Sequence, residues 1–375
     1  MNRSSLLALG VLASACARSA TAPTTTTTTP TATPTTTTTQ AAPTTWTGAS
    51  VPLPQGTGDA FFDYIVYEPG RRRVWVPGAR DVGSVDVFDI GSRSFTRVGG
   101  FGISEQENKG KKRTLGPSAV TIGDGVAYVG DRATSEVCVV DVTSLKVGAC
   151  VKLPVPIDGV VYVTSTQEVW VTTPRDKSLA VLDASKPAAP TPKLVIKTNG
   201  EPEGYAYDDA RGVFYTNLED GDQTLVIDLK THAVKATWSA GCGKEGPRGV
   251  AVDHARNFVI VACTDRVRVV DPTKGGALLS ELATGAGVDN LDYLEAKKVL
   301  YVAAGKTAQL FALSLDDQGK LAVVAVGKSE ARAQRGGRRR RQRLRGRPQS
   351  AAAPGLHRAD EVITAWKSRL FSRAE

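Results

Sequence analysis

A short β-forming run with an aromatic or small centre returns six times along this 375-residue chain. The copies are Val74-Trp75-Val76, Ala127-Tyr128-Val129, Val169-Trp170-Val171, Phe214-Tyr215-Thr216, Val259-Ile260-Val261 and Leu300-Tyr301-Val302. After each, a polar turn leads into an alternating run that closes on Asp89, Asp141, Asp183, Asp228 and Asp271, with Ser314 in the sixth place. The closing residues are 52, 42, 45, 43 and 43 positions apart, and the long first interval contains an inserted polar loop, Glu105 to Arg113. A period of this size points to an array of small supersecondary units. No unit holds an apolar stretch of helical period, which excludes helical repeats.

The fourth unit shows what each copy contains. Gly204 to Tyr207, Val213 to Asn217, Thr224 to Asp228 and Ala233 to Trp238 are strand-like, separated by the turns Asp208 to Gly212 and Glu219 to Asp222. The terminal Asp suits its place because its carboxylate can accept backbone N–H groups in the turn that follows. A twisted four-stranded sheet cannot bury both faces alone, and radial packing against its neighbours buries them. The expected fold is therefore an all-β propeller of four-stranded blades.

The recurring "YVxD…VxVxD" pattern resembles the YVTN-type, YncE-like seven-bladed propellers exported by bacteria. It does so most closely in "EGYAYDDARGVFYTNLEDGDQTLVID" (Glu203 to Asp228), "GCGKEGPRGVAVD" (Gly241 to Asp253) and "GVDNLDY" (Gly287 to Tyr293). The resemblance implies a seven-bladed type, here with six complete blades and an incomplete closing blade. Propellers of that type often close by a clasp in which an N-terminal strand completes the last blade. Trp46 to Leu53 resembles a fourth strand and is expected to supply it. Ala333 to Pro348 can be encoded by GC-rich codons that, read one base later, give "RNAVADADGNAYVAD", a first strand, turn and second strand. Two explanations of the C-terminal end stand side by side: a reading frame lost near Arg332, or a genuine basic tail. With the closing strands lost, two sheet faces would lie uncovered and the protein would be poorly soluble or an open ring.

Four segments are expected: a signal over 1–16, a Thr/Pro-rich stalk over 17–45, the propeller over 46–328 and a basic tail over 329–375. Arg3, the apolar stretch Leu6 to Ala13 and Ala13-Ser14-Ala15 before Cys16 read as an export signal. Its end resembles a bacterial lipoprotein signal, which implies lipidation at Cys16, although Ala13 stands where Leu is preferred; ordinary cleavage after Ala15 fits as well. From Thr21 to Thr45, 16 of 25 residues are Thr, which leaves nothing to bury and gives an extended spacer or an O-glycosylated stalk. The net charge of +9 is misleading, because residues 331–375 carry 13 basic and 3 acidic groups while 1–330 carry 34 and 35. The body is neutral. The arginine run has no interleaved aromatic before Trp366 on which a base could stack, so nucleic acid is not an expected partner.

In an exported, oxidising setting four cysteines remain after Cys16, and they are expected to pair as Cys138–Cys150 and Cys242–Cys263. With three His and one Met, the initiator, histidine acid–base chemistry and a His-rich or Met-rich metal centre are not expected. The starts of the first strands line one channel mouth and carry Asp63, Asp158, Glu203 and Asp289-Asn290, with Arg248 as the positive exception. Such a carboxylate ring either holds Ca²⁺, as in gluconolactonase-type propellers, or caps strands around a polar channel. Turns between second and third strands share that mouth: Arg80-Asp81, Asp131-Arg132, Arg175-Asp176, Glu219-Asp220 and Asp265-Arg266. They form solvated turns or a rim for a protein, peptide or glycan. The inserted loop, with Lys109, Lys111, Lys112 and Arg113, meets an acidic partner or simply stays in water.

The sequence therefore predicts a monomeric, exported, lipid-anchored binding or scaffold module of the bacterial cell envelope, in the periplasm or at the outer membrane. The competing expectation is a metal-dependent hydrolase or lactonase using the channel carboxylates. A quinone-dependent dehydrogenase ranks third, without a cofactor motif.

Overall fold

The computed structural model describes residues 42–47, 51, 53–54, 63–79, 82–108 and 111–328. Cys16, the signal, most of the stalk and the basic tail lie outside the described residues, as do Arg80, Asp81 and Lys109.

Six four-stranded antiparallel sheets follow one another as the blades of a propeller. The first holds β2 (Val66–Glu68), β3 (Arg73–Ala79), β4 (Gly83–Asp89) and β5 (Ser94–Phe101). After a hairpin of β6 (Ser104–Asn108) and β7 (Lys111–Leu115), the second blade holds β8 (Pro117–Gly123), β9 (Val126–Asp131), β10 (Glu136–Asp141) and β11 (Val147–Lys152). The third is β12 (Val160–Val163), β13 (Glu168–Thr173), β14 (Ser178–Asp183) and β15 (Thr191–Lys197). The fourth is β16 (Pro202–Asp208), β17 (Val213–Leu218), β18 (Gln223–Asp228) and β19 (Val234–Ser239). The fifth is β20 (Pro247–Asp253), β21 (Phe258–Cys263), β22 (Arg266–Asp271) and β23 (Ala277–Ala283), and the sixth β24 (Val288–Leu294), β25 (Val299–Ala304), β26 (Gln309–Leu315) and β27 (Leu321–Lys328). β1, Thr44–Thr47, is numbered first in chain order but joins the sixth blade.

Burial explains the residue pattern. Every residue of β9, β13 and β17 is buried, because a second strand has a neighbouring blade on each side; such strands read as continuous apolar runs. Fourth strands such as β19 face water along most of their length. The turn aspartates do what their position suggests. Asp89, Asp141, Asp183, Asp228 and Asp271 each accept a backbone N–H, from Ser92, Ser144, Ser185, Thr231 and Thr273. Both expected disulfides are present, Cys138–Cys150 between directly opposed residues of β10 and β11, and Cys242–Cys263.

Two elements differ from expectation. The inserted segment is a hairpin, with Glu105 facing Thr114 and Glu107 facing Lys112, rather than a polar loop. Of the expected closing strand Trp46 to Leu53, residues 48–50 and 52 lie outside the described residues, and the strand begins within the expected stalk. Thr44–Thr47 pairs in parallel with Ala325–Lys328, adding a fifth strand to the edge of blade six. Backbone groups of an outer strand are open to any added strand, and Trp46 fixes this one by packing against Tyr301, ring centroids 6.2 Å apart.

The core is divided among the junctions between blades. Val85 and Val87 of blade one share a cluster with Val129 and Val140 of blade two. Tyr128 and Tyr162 meet between blades two and three, and Trp170 and Phe214 between three and four. Tyr215 and Val259 meet between four and five, and Ile260 and Leu300 between five and six. Among the described residues, blade six and blade one share no such cluster. Blade six instead gathers Tyr301, Ala303, Leu310 and Ala312 with Trp46, and blade one gathers Ile65, Val74, Val76 and Phe88 with Leu53.

Candidate functional site: the channel mouth

First strands bulge at one recurring place, between Pro117 and Ala119, Pro202 and Tyr205, Pro247 and Val250, and Val288 and Leu291. A bulge re-aims the side chains beside it, and here it serves the positions that ring the axis. The column reads Ser118, Gly159, Gly204, Gly249 and Asn290 in blades two to six. Glycine lets inner strands approach closely. A Cβ on Gly204 would lie 2.2 Å from the Arg248 carbonyl, and one on Gly249 would lie 2.6 Å from Asn290 Oδ1.

Blade one puts Tyr64 in this column. Its backbone bridges to Ala119: the Tyr64 N–H donates to the Ser118 carbonyl at 3.0 Å, and the Tyr64 carbonyl accepts from the Val120 N–H at 3.3 Å. The ring then crosses the channel to stack on Tyr205, centroids 5.2 Å apart. The Tyr64 hydroxyl donates to the Glu203 carbonyl at 3.1 Å and lies 3.4 Å from Asp158 Oδ2. Burial, then the Glu203 and Asp63 carboxylates, push this phenol well above its ordinary pKa, so it stays a neutral donor.

Arg132, from the turn after β9, occupies the space between the carboxylates. Nη2 pairs with Asp63 Oδ2 at 2.9 Å and also with Asp158, while Nε donates to the Ile157 carbonyl at 3.3 Å. The guanidinium is 10% exposed and the two carboxylates 9% and 12%, so all three are shielded from water. The structure thus brings Asp63, Asp158 and Glu203 together around Arg132 and Tyr64. Asp289 is near enough to act on the Tyr64 hydroxyl electrostatically. Arg248 pairs with Glu219, and Asn290 packs beside Gly249 of the neighbouring blade. Among the described residues, no three His, Cys, Asp or Glu side chains converge on a position that could hold a metal ion. An arginine between two carboxylates supplies the positive charge that Ca²⁺ would supply, and the donor set does not fit the cation.

Around the mouth lies a charged rim. Lys177 pairs with Asp220 at 2.8 Å, Arg266 with Asp265 at 2.8 Å, and Arg175 donates to Gln106 of the hairpin at 2.7 Å. The hairpin therefore belongs to this face. Sequence reasoning found the carboxylates but missed Arg132 as their partner and Tyr64 as the plug. The available signal was Tyr64 itself, an aromatic in a column otherwise made of small or polar residues.

No protein-family model and no curated protein matches the chain. Among solved structures it is similar to the periplasmic gluconolactonase of Pseudomonas aeruginosa, with a TM-score of 0.56 and 15% identity over 70% of this chain and 84% of that one. It is also similar to Kuenenia stuttgartiensis hydrazine synthase, with a TM-score of 0.56 and 14% identity over 72% and 81%. The Swd1 β-propeller domain of Myceliophteria thermophila gives a TM-score of 0.55 and 9% identity over 73% and 89%. At these identities the likeness shows the β-propeller fold alone.

Proposed function

We propose that this chain is an exported β-propeller of YVTN type that binds a protein, peptide or glycan on its channel-mouth face. The observation that carries the proposal is Arg132 seated between Asp63 and Asp158 beneath the Tyr64 plug. These two carboxylates already share a guanidinium and Tyr64 lies across them, which leaves the charged rim as the surface we assign to a partner. The metal-dependent lactonase alternative needs those same carboxylates free for a cation, and it is weaker for that reason. Two disulfides suit an oxidising compartment, and no helix among the described residues is long and apolar enough to cross a membrane. Tethering through a lipid on Cys16 and the Thr/Pro stalk would hold the propeller, as a monomer, at the bacterial envelope. We further propose that the ring is of the seven-bladed type, with an open sector between blades six and one where no apolar cluster is shared.

Photo-cross-linking tests the binding face. Probes replacing Arg175 or Asp265 on the channel face should capture envelope components, and probes replacing Lys186 or Lys230, in turns on the opposite face, should not. Equal capture from both faces would overturn the proposal. So would metal-dependent lactone hydrolysis that is lost in Glu203→Ala.

A further inference from the structure

The two disulfides differ in what surrounds them. Cys242 and Cys263 are 7% and 1% exposed, and both belong to the apolar cluster between blades four and five, with Val213, Trp238 and Val261. Cys263 ends β21, where every residue after Phe258 is buried. A reagent reaches that pair only if the junction opens. Cys138–Cys150 is placed otherwise. Cys138 is 4% exposed on β10, but Cys150 lies on β11, the outer strand of blade two, and is exposed.

Strand alternation fixes the side of the blade on which this bridge lies. Val137, Val139 and Val151 belong to the cluster shared with blade three, and Val140 to the one shared with blade one. Cys138 and Cys150 alternate with the first three and lie directly opposite each other, so the bridge is on the blade-one side of the sheet. Blade one covers little of β11 there. Its outer strand β5 approaches through Gly100, where a Cβ would come no nearer than 4.0 Å to Val147, and a Cβ on Gly99 would meet open space. Cys150 itself follows two small exposed residues, Gly148 and Ala149. One sulfur is therefore sealed in the blade, and the other stands at the surface.

We propose that Cys138–Cys150 is a thiol–disulfide exchange site, with Cys150 as the residue attacked and a protein dithiol as the reductant. One thiolate of the reductant attacks Cys150 Sγ and forms a mixed disulfide. The Cys138–Cys150 bond breaks, and its electron pair leaves on Cys138 Sγ, which takes a proton. The reductant's second thiolate then attacks its own partner sulfur in the mixed disulfide, and Cys150 leaves as a thiolate. The reductant ends as a disulfide, and this chain has gained two electrons and, once Cys150 is protonated, two protons. The rate of exchange depends on which sulfur a thiolate can reach, and exposed disulfides are the labile ones. Opening the bridge removes only a link between β10 and β11, which stay paired through Glu136 with Lys152 and Val137 with Val151. The blade junctions and Cys242–Cys263 are untouched.

Differential alkylation of the full chain tests the site. The folded protein is exposed to dithiothreitol or to reduced thioredoxin, and the thiols that appear are blocked with N-ethylmaleimide. The remaining cysteines are then reduced in denaturant and labelled with iodoacetamide, and mass spectrometry reads each position. We expect Cys138 and Cys150 to open at least roughly tenfold faster than Cys242 and Cys263. Equal rates, or faster opening of Cys242–Cys263, would overturn the proposal. A thioredoxin whose second cysteine is replaced by Ser stalls at the mixed disulfide and should be captured on Cys150. Capture on Cys138, or no capture while dithiothreitol opens the bridge, would overturn it as well. Near-ultraviolet circular dichroism separates exchange from unfolding: the opened protein should keep the signal of the oxidised one. A bridge that opens only as that signal is lost is no exchange site.

Discussion

Arg132 is the residue on which the channel mouth depends. Removing the guanidinium takes away the positive charge shared by the shielded Asp63 and Asp158, and breaking such a group costs about 3 kcal/mol or more. Arg132→Ala should therefore lower the unfolding midpoint. Excess Ca²⁺ should raise it again in the variant while leaving the parent protein unchanged, because in the parent a guanidinium already lies between these carboxylates. A calcium response of equal size in both proteins would contradict this account.

Glu168 shows the same logic at a blade junction. It is 1% exposed and accepts from Lys193 at 2.6 Å, Thr166 at 2.9 Å, Trp170 at 3.0 Å and His232, from the next blade, at 3.0 Å. Burial pushes its carboxyl up, but the hydrogen bonds from Lys193, His232, Trp170 and Thr166 outweigh burial and hold it below the usual range. Asp228, held by the Thr231 and Lys230 N–H groups, is lowered to about 2. Groups with lowered folded pKa values stabilise the protein above their unfolded values and lose that contribution as pH falls through the folded ones. Stability should therefore decline from about pH 4 toward pH 2, with the buried Asp131, which burial raises, acting in the opposite sense. Denaturant titrations at stepped pH should show a shallower acid loss for Glu168→Gln; an unchanged slope would exclude Glu168 as a contributor. The carboxylates were legible in the chain because they recur with the repeat. Their partners were not, since Arg132 and Asp63 are 69 positions apart and Tyr64 and Glu203 are 139 apart, and such contacts arise only after the blades are arranged.

At the scale of elements, the two disulfides close loops of 12 and 21 residues and together restrict the unfolded chain around blades two, four and five. Replacing Cys242 and Cys263 with Ser should cost about 3 kcal/mol in chemical denaturation, and non-reducing mass spectrometry of the parent should find all four thiols blocked. Free thiols in the correctly folded protein would contradict the pairing. Strands, turns and cysteine pairs were readable because each is local: Asp208 to Gly212 turns the fourth unit where the residues suggest, and β17 and β18 lie within a residue of their expected bounds. Two elements were misread, each for its own reason. Glu105 to Arg113 carries charge typical of a loop but pairs with itself, and Thr44–Thr47 has no regular pattern and becomes a strand only because the edge of β27 accepts it.

For the whole molecule, the period of about 43 residues was sufficient to establish a propeller, since blades of this size hide their apolar faces only against one another. Closure of the ring was not legible from the repeat count, because a repeat reports each blade and not what lies between the last and the first. The structure supplies that information as two separate apolar clusters, each on one terminal blade. Among the described residues, blades three and four are packed on both faces, whereas one and six share a cluster with a neighbouring blade on one face and meet Leu53 and Trp46 of the N-terminal segment on the other. Local stability should follow that difference. Native-state hydrogen exchange measures it directly. We predict that amides of β3, β4, β25 and β26 exchange well before those of β13, β14, β17 and β18; uniform protection of all six blades would contradict the open sector.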